Sequence, residues 1–127
     1  METVMPRLLI ADDQDPIRQM VRITLATQGW DIVEATNGTQ ALALAKSERP
    51  DLALLDVDMG PGPTGFDVCR ALKSEDTTMH MPVVLLTAFD NDADRAKGFA
   101  AGADRYLTKP FSPLSLIDTI RAIIAPK

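Results

Sequence analysis

Three short apolar runs punctuate the chain, and each stops at a polar residue. Leu8-Leu9-Ile10-Ala11 stops at Asp12-Asp13, Leu52-Ala53-Leu54-Leu55 at Asp56, and Val83-Val84-Leu85-Leu86 at Thr87. Runs this short, without polar alternation, fit strands buried on both faces, as in a parallel sheet. Pro82 stands only at the start of the third run, where it does least harm. Trp30 to Ala35 alternates partly and is rich in β-formers, so it predicts a further strand. Asp104 to Thr108 predicts a brief last one, followed by Lys109-Pro110.

Helical spacing fills the gaps. Pro16 sits where a first turn tolerates proline, Ile17, Met20, Val21, Thr24 and Leu25 recur on one side, and Gly29 closes the pattern. Asn37-Gly38 has turn chemistry, and Thr39 to Glu48 predicts a helix that turns Ala41, Leu42, Leu44 and Ala45 inward before Pro50 stops it. Residues 60–65, Gly-Pro-Gly-Pro-Thr-Gly, form a loop by composition. Phe66 to Lys73 is a helix with Phe66, Val68, Cys69 and Leu72 as its apolar positions, and Ser74 to His80 is a polar connector with His80 on the surface. Asn91 or Asp92 caps a helix that runs to Ala101, with Ala93, Ala96, Phe99 and Ala100 as inward candidates and Gly102 beyond its end. A single large apolar side chain makes that helix weakly anchored. Pro113 to Ala125 is the last helix, with isoleucines on more than one side: Leu116, Ile120 and Ile123 against Ile117 and Ile124. Such a spread is either all core or a second stripe offered to a partner or a second copy.

Strands alternate with helices five times, so the chain predicts a doubly wound α/β fold: one five-stranded parallel sheet with helices on both faces. Right-handed crossovers favour the order 2-1-3-4-5, whose switch point lies between the first and third strands. Asp12-Asp13 and Asp56 end those two strands.

Composition narrows the picture. At 127 residues the chain is expected to be one domain, 1–127, with no output domain. A net charge of −5 argues against direct nucleic-acid binding, which needs a basic face. Cys69 is the only cysteine, so no disulfide framework exists. Met1 to Arg7 lacks the apolar core of a signal peptide, and no apolar run reaches the roughly 20 residues of a membrane span. The expected location is the cytoplasm.

Three carboxylates brought together repel one another, and each has its pKa raised unless compensated. A divalent cation removes the conflict, and an incomplete set of hard oxygen ligands suits Mg²⁺. Thr87 offers a hydroxyl at the end of strand four. Lys109, past strand five, offers a point charge suited to a phosphoryl oxygen. Singly, each residue has an ordinary use: Asp56 or Asp13 as a helix cap, Thr87 as a β-former, Lys109 as a solvated lysine. Jointly they are the parts of phosphoryl transfer to a carboxylate.

Leu9 to Asp13, Glu34 to Gly38, Asp51 to Asp56, Leu85 to Ala88 and Gly102 to Phe111, in this order and spacing, resemble a bacterial response-regulator receiver domain over essentially the whole chain. The resemblance implies a flavodoxin-like, chemotaxis-regulator-like fold and a phosphorylation-dependent switch in a two-component phosphorelay, not an enzyme turning over an external substrate. It implies Asp56 as phospho-acceptor, and Mg²⁺ on Asp13, Asp56 and the Asp58 backbone carbonyl, with Asp12 acting largely through water. Thr87 and Lys109 would hold the phosphoryl oxygens. Tyr106 would be the switch aromatic, and Lys109-Pro110 a cis peptide. The partners implied are a sensor histidine kinase or histidine phosphotransfer protein and an effector or output domain, met through helix 92–101, the Tyr106 strand and the last helix, which also offers a homodimer face. Asp58 and Phe89 occupy the family's variable positions beside the path of an attacking water, and would set the lifetime of the phospho-aspartate. The 59–65 loop departs from the family by one extra residue.

Two rivals stand against this reading. Asp56-Val57-Asp58 also resembles the nucleophile motif of haloacid-dehalogenase-type phosphatases. Those place it on the first strand and need further acids after the lysine, whereas only Asp118 follows Lys109 here. A receiver-like interaction module that is never phosphorylated would not need the complete set Asp12, Asp13, Asp56, Thr87 and Lys109.

Overall fold

A computed structural model describes residues 6–88 and 92–124. The elements alternate throughout: β1 (Arg7–Ala11), α1 (Asp15–Ala26), β2 (Asp31–Ala35), α2 (Gly38–Glu48), β3 (Leu52–Asp56), α3 (Gly65–Lys73), β4 (Val83–Thr87), α4 (Asp92–Ala100), β5 (Arg105–Thr108) and α5 (Pro113–Ile123). The sheet is parallel, in the order β2-β1-β3-β4-β5. Every residue of β3 and β4 is buried, as their uninterrupted apolar runs require. Among the described residues no helix is long and apolar enough to cross a membrane.

The strands send alternate side chains into two cores. Leu8, Ile10, Leu52, Leu54, Val84 and Leu86 meet α1 and α5 on one face. Leu9, Ala11, Ala53, Leu55, Val83 and Leu85 meet α2, α3 and α4 on the other. Each fully buried leucine contributes on the order of 1.5–3 kcal/mol relative to exposure, so the sheet is a rigid platform for whatever leaves its carboxyl edge.

Caps fix where helices begin. Asn37 accepts a hydrogen bond from the Gln40 amide at 2.8 Å, so it caps α2, and Gly38 is the first helical residue. Thr64 and Asp67 form a reciprocal capping box at the head of α3. Gln14, not Asp13, occupies the N-cap position of α1.

One expectation needs correction, and one open alternative is decided. In α4, Phe99 is 52% exposed, and Ala93, Ala96 and Ala100 are exposed too; among the described side chains Gly98 and, just past the helix, Ala101 are buried. The helix lies so close to the sheet that a Cβ on Gly98 would stand 3.0 Å from Leu85 Cδ1 and 3.4 Å from the Tyr106 ring. Small residues therefore face inward, and the phenylalanine is turned out. In α5, Leu116 and Ile120 are buried, and Ile117, Ile123 and Ile124 pack against the same core. The second isoleucine stripe is thus absorbed by the groove between α1 and the sheet. Leu114, 67% exposed, is the large apolar side chain that α5 leaves to solvent. Phe89, Asn91 and Ala125 lie outside the described residues.

Candidate functional site: an acidic pocket at the carboxyl edge of the sheet

Register and strand length bring the polar strand ends together. Asp56 is the last residue of β3 and pairs with Leu86, one residue before Thr87 ends β4. Asp12 follows β1, and its amide donates to the Ala35 carbonyl at 3.1 Å. Lys109 follows β5, and its amide donates to the Thr87 carbonyl at 2.6 Å. The next peptide, Lys109–Pro110, is cis. Asp13, Asp56, Asp58, Thr87 and Lys109 line one open cavity of about 290 Å³, together with Gln14, Val57 and Ala88.

Asp12, Asp13 and Asp56 each place a carboxylate oxygen within 4.8 Å of the others. Asp12 is fully buried. One of its oxygens accepts from the Gln14 amide at 2.9 Å, and the other accepts from Lys109 Nζ at 2.9 Å. Lys109 Nζ also lies 3.2 Å from Asp56 Oδ1. Burial, then the charge of Asp12, push Asp56 up to about 6; Lys109 pulls it down, and Asp13 adds a smaller upward push. For Lys109 burial acts downward, but the hydrogen bond to Asp12 and the charges of Asp12 and Asp56 outweigh it, and its pKa is raised. One lysine therefore pairs with two buried carboxylates, Asp12 and Asp56, and the exposed Asp13 adds a third negative charge beside them. That donor set fits a hard divalent cation: oxygen-only, negatively charged in excess, and too few for a closed shell. Asp12, Asp13 and Asp56 are the residues that would hold it.

Other expected residues occupy distinct places. Asp58 is exposed on the cavity rim, and its Oδ1 accepts from the Gly60 amide at 3.3 Å instead of joining the carboxylate cluster. Tyr106 is half-buried on β5 against the α3–α4 core, with the Arg95 guanidinium 5.5 Å above its ring. His80 is exposed and away from the cavity lining. Cys69 is buried, and burial pushes its thiol up to about 11, which leaves it unreactive.

Several supporting residues give no sequence signal of their own. Arg18, largely buried, donates to the Asp12 main-chain carbonyl at 2.7 Å, pairs with Asp15 and lies 3.4 Å from Glu34. It ties α1 and β2 to the backbone that carries the acids. Gly65 is packed so tightly that a Cβ there would stand 2.5 Å from the Asp56 carbonyl oxygen. A lone arginine on a helix or a glycine after a loop looks ordinary until the fold shows what it touches.

Comparison with known proteins agrees with this geometry. Residues 8–121 match the family described as response regulator receiver domain. The chain is 40% identical to the phosphate regulon transcriptional regulatory protein PhoB of Pseudomonas aeruginosa, over 92% of this chain and 51% of that protein. It is 41% identical to the response regulator PleD of Caulobacter vibrioides, over 92% of this chain and 26% of that one. The chain thus spans about half, or less, of these curated relatives. The structure of the chemotaxis protein CheY4 of Vibrio cholerae superposes with a TM-score of 0.89 at 34% identity, covering 94% of this chain and 99% of that one. With five strands in the family's order, an acidic pocket at their carboxyl edge and a family match across nearly its whole length, the chain belongs to the response regulator receiver domain family.

Proposed function

We propose that this receiver domain accepts a phosphoryl group on Asp56 from the phosphohistidine of a sensor histidine kinase or a histidine phosphotransfer protein, and signals through the change that follows. The observation that carries the reading is Asp56 itself: a buried carboxylate at a strand end, 5% exposed, 3.2 Å from Lys109 Nζ and beside Asp12 and Asp13.

A bound Mg²⁺ supplies charge neutralisation among Asp12, Asp13, Asp56 and the incoming phosphoryl oxygens; the Asp58 carbonyl is proposed as a further ligand. The rest is done by the chain. The Asp56 carboxylate attacks phosphorus in line. The P–N bond of the donor breaks, its electron pair stays on the imidazole, and the imidazole takes up a proton from solvent. Lys109 Nζ exchanges its contact with the Asp56 carboxylate for a phosphoryl oxygen, and the Thr87 hydroxyl donates to another. The added dianion draws in Thr87. The loop after β4 shifts, and Tyr106 turns further inward. The face formed by α4, β5 and α5 then favours a different partner state, as a population shift. Among its described side chains α4 buries no large apolar group, only Gly98 with Ala101 just past its end, and its other holds include the cation–ring contacts Arg95–Tyr106 and Lys97–Phe66; so small a buried area suits it to move.

The partner is an effector protein or an output domain. A net charge of −5 leaves DNA contact to such a partner. The cytoplasm is the expected location, with the phosphohistidine donor. Asp58 and Phe89 would set the lifetime of the phospho-aspartate; exchanging them for Asn and Glu should change its decay rate, and an unchanged rate removes them from that role.

The deciding test is intact mass with acetyl phosphate and Mg²⁺, on wild type and on Asp56→Ala. One phosphoryl group per chain in wild type and none in the variant supports the reading. Steady release of phosphate from a phosphomonoester would favour a phosphatase, and no mass gain in wild type would favour an interaction module.

A further inference from the structure

The loop that joins β3 to α3 is one residue longer than the family pattern, and its seat in the structure is specific. Its ends meet: the Gly65 amide donates to the Val57 carbonyl at 2.9 Å, and Gly65 abuts the Asp56 main chain. Met59 is buried in the core. Gly60 and Gly62 adopt positive φ values of 81° and 99°, which let two tight turns absorb the extra length. The loop comes to rest on another element. At Gly38, the first residue of α2, a Cβ would overlap the Pro63 carbonyl oxygen and stand 2.9 Å from both the Pro63 carbonyl carbon and the Pro63 Cβ. Gly38 has an ordinary φ, so strain does not explain this glycine; space does. On its other side the loop faces the acidic pocket: Asp58 lines the cavity, and a Cβ on Gly60 would lie 3.9 Å from Asp13 Oδ2.

We propose that Gly38 is a positioning residue of the acidic pocket, because it is the seat on which Pro63 rests and so fixes the 57–64 loop against Asp13 and Asp56. It touches no reacting atom. Its effect runs through a rigid path: the Gly38 seat, the Pro63 backbone, the Pro-Gly turns of 60–62, and the Asp58–Gly60 rim of the cavity. A methyl group at position 38 must push Pro63 away, because the overlap is with backbone and no side chain can rotate clear. The rim then shifts on the side where Asp13 and the Asp58 carbonyl would share a cation. The idea rests on the metal-assisted reading above, but its own readout is Mg²⁺ affinity, measured without any phosphodonor.

The experiment compares wild type, Gly38→Ala and Gly29→Ala by calorimetric titration with Mg²⁺ alone, alongside thermal unfolding without metal. Gly29 supplies the control: its φ of 79° makes alanine strained there, yet nothing lies within 4 Å of the added Cβ, and it is remote from the loop. Both variants should unfold at lower temperature. Only Gly38→Ala should weaken Mg²⁺ binding, by roughly 10- to 100-fold, the usual cost of disturbing groups that orient metal ligands. If Gly38→Ala does not fold, deletion of Gly62 lifts Pro63 from the same seat by shortening the loop, and should weaken Mg²⁺ in the same range. Equal Mg²⁺ affinity in wild type and in the folded variant, with only a lower unfolding temperature, would overturn the proposal. Absence of Mg²⁺ binding in wild type would instead overturn the metal-assisted reading.

Discussion

The two ends of the sheet carry acid clusters of the same formal make-up. At the amino edge Asp31, Glu48 and Asp51 surround Arg7: Nε lies 3.0 Å from Asp31, Nη1 3.2 Å from Glu48, and the Arg7 amide donates to Asp51 at 2.8 Å. At the carboxyl edge Asp12 and Asp56 pair with Lys109, and Asp13 completes the acid cluster. Each has three carboxylates and one cation. They differ in solvent. Arg7, Asp31 and Glu48 have 43%, 52% and 41% of their side chains exposed, whereas Lys109, Asp12 and Asp56 have 15%, 0% and 7%, and of that cluster only Asp13 is exposed. In water, excess charge is screened, and ion pairs are worth little. Out of water, burial and then the charge of Asp12 push Asp56 up to about 6, and the excess negative charge is left unbalanced. Desolvation, not the count of charges, separates a structural corner from the site proposed to accept a phosphoryl group.

Removing the single cation at each end should show the largest contrast. Lys109→Met leaves Asp12 and Asp56 buried with no counter-charge, and should cost roughly 3–5 kcal/mol in metal-free protein at pH 8. Arg7→Met should cost about 1 kcal/mol or less. Urea unfolding of both variants measures the difference, and equal losses would break the comparison.

Removing one acid sharpens it with opposite sign. The folded-state pKa of Asp56 lies above its ordinary value of 3.8, so between pH 4 and 6 the folded chain binds more protons than the unfolded one. Stability from this group therefore falls as pH rises through that window, and its full cost, on the order of 3 kcal/mol, is present above it. Asp56→Asn should stabilise the metal-free protein at pH 8 by up to that amount and lose its advantage near pH 4. Asp51→Asn, at the other end, should change stability by about 0.5 kcal/mol or less at either pH.

A smaller effect follows from the cation itself. Mg²⁺ at ten times its dissociation constant should stabilise wild type by about 1.4 kcal/mol. Asp51→Asn should keep that gain, and Asp56→Asn should lose most of it. Retention of the gain in Asp56→Asn would place the ion elsewhere.

Much of this was legible in the residues. Uninterrupted apolar runs marked β1, β3 and β4, and their polar stops named Asp12, Asp13, Asp56 and Thr87, because a strand buried on both faces leaves its next side chain at the sheet edge. Lys109 was legible for the same reason. The inward face of α4 was not. Hydrophobic periodicity gives weight to Phe99, but close approach to the sheet selects Gly98 and Ala101. The use of α5 was ambiguous because five apolar positions cover more than one stripe; only the groove beside α1 shows that core takes them all. The roles of Arg18, Gly38 and Gly65 depend on contacts between elements distant in sequence, and no local pattern encodes those.

The most direct measurement is a pH titration of the Asp56 carboxyl carbon by NMR in metal-free protein, repeated with saturating Mg²⁺. Burial beside Asp12 predicts a midpoint of about 6 without metal, displaced well downward once the ion is bound. A midpoint near the ordinary 3.8, unmoved by Mg²⁺, would contradict the claim that desolvated, unbalanced charge prepares this end of the sheet for the proposed cation and phosphoryl group.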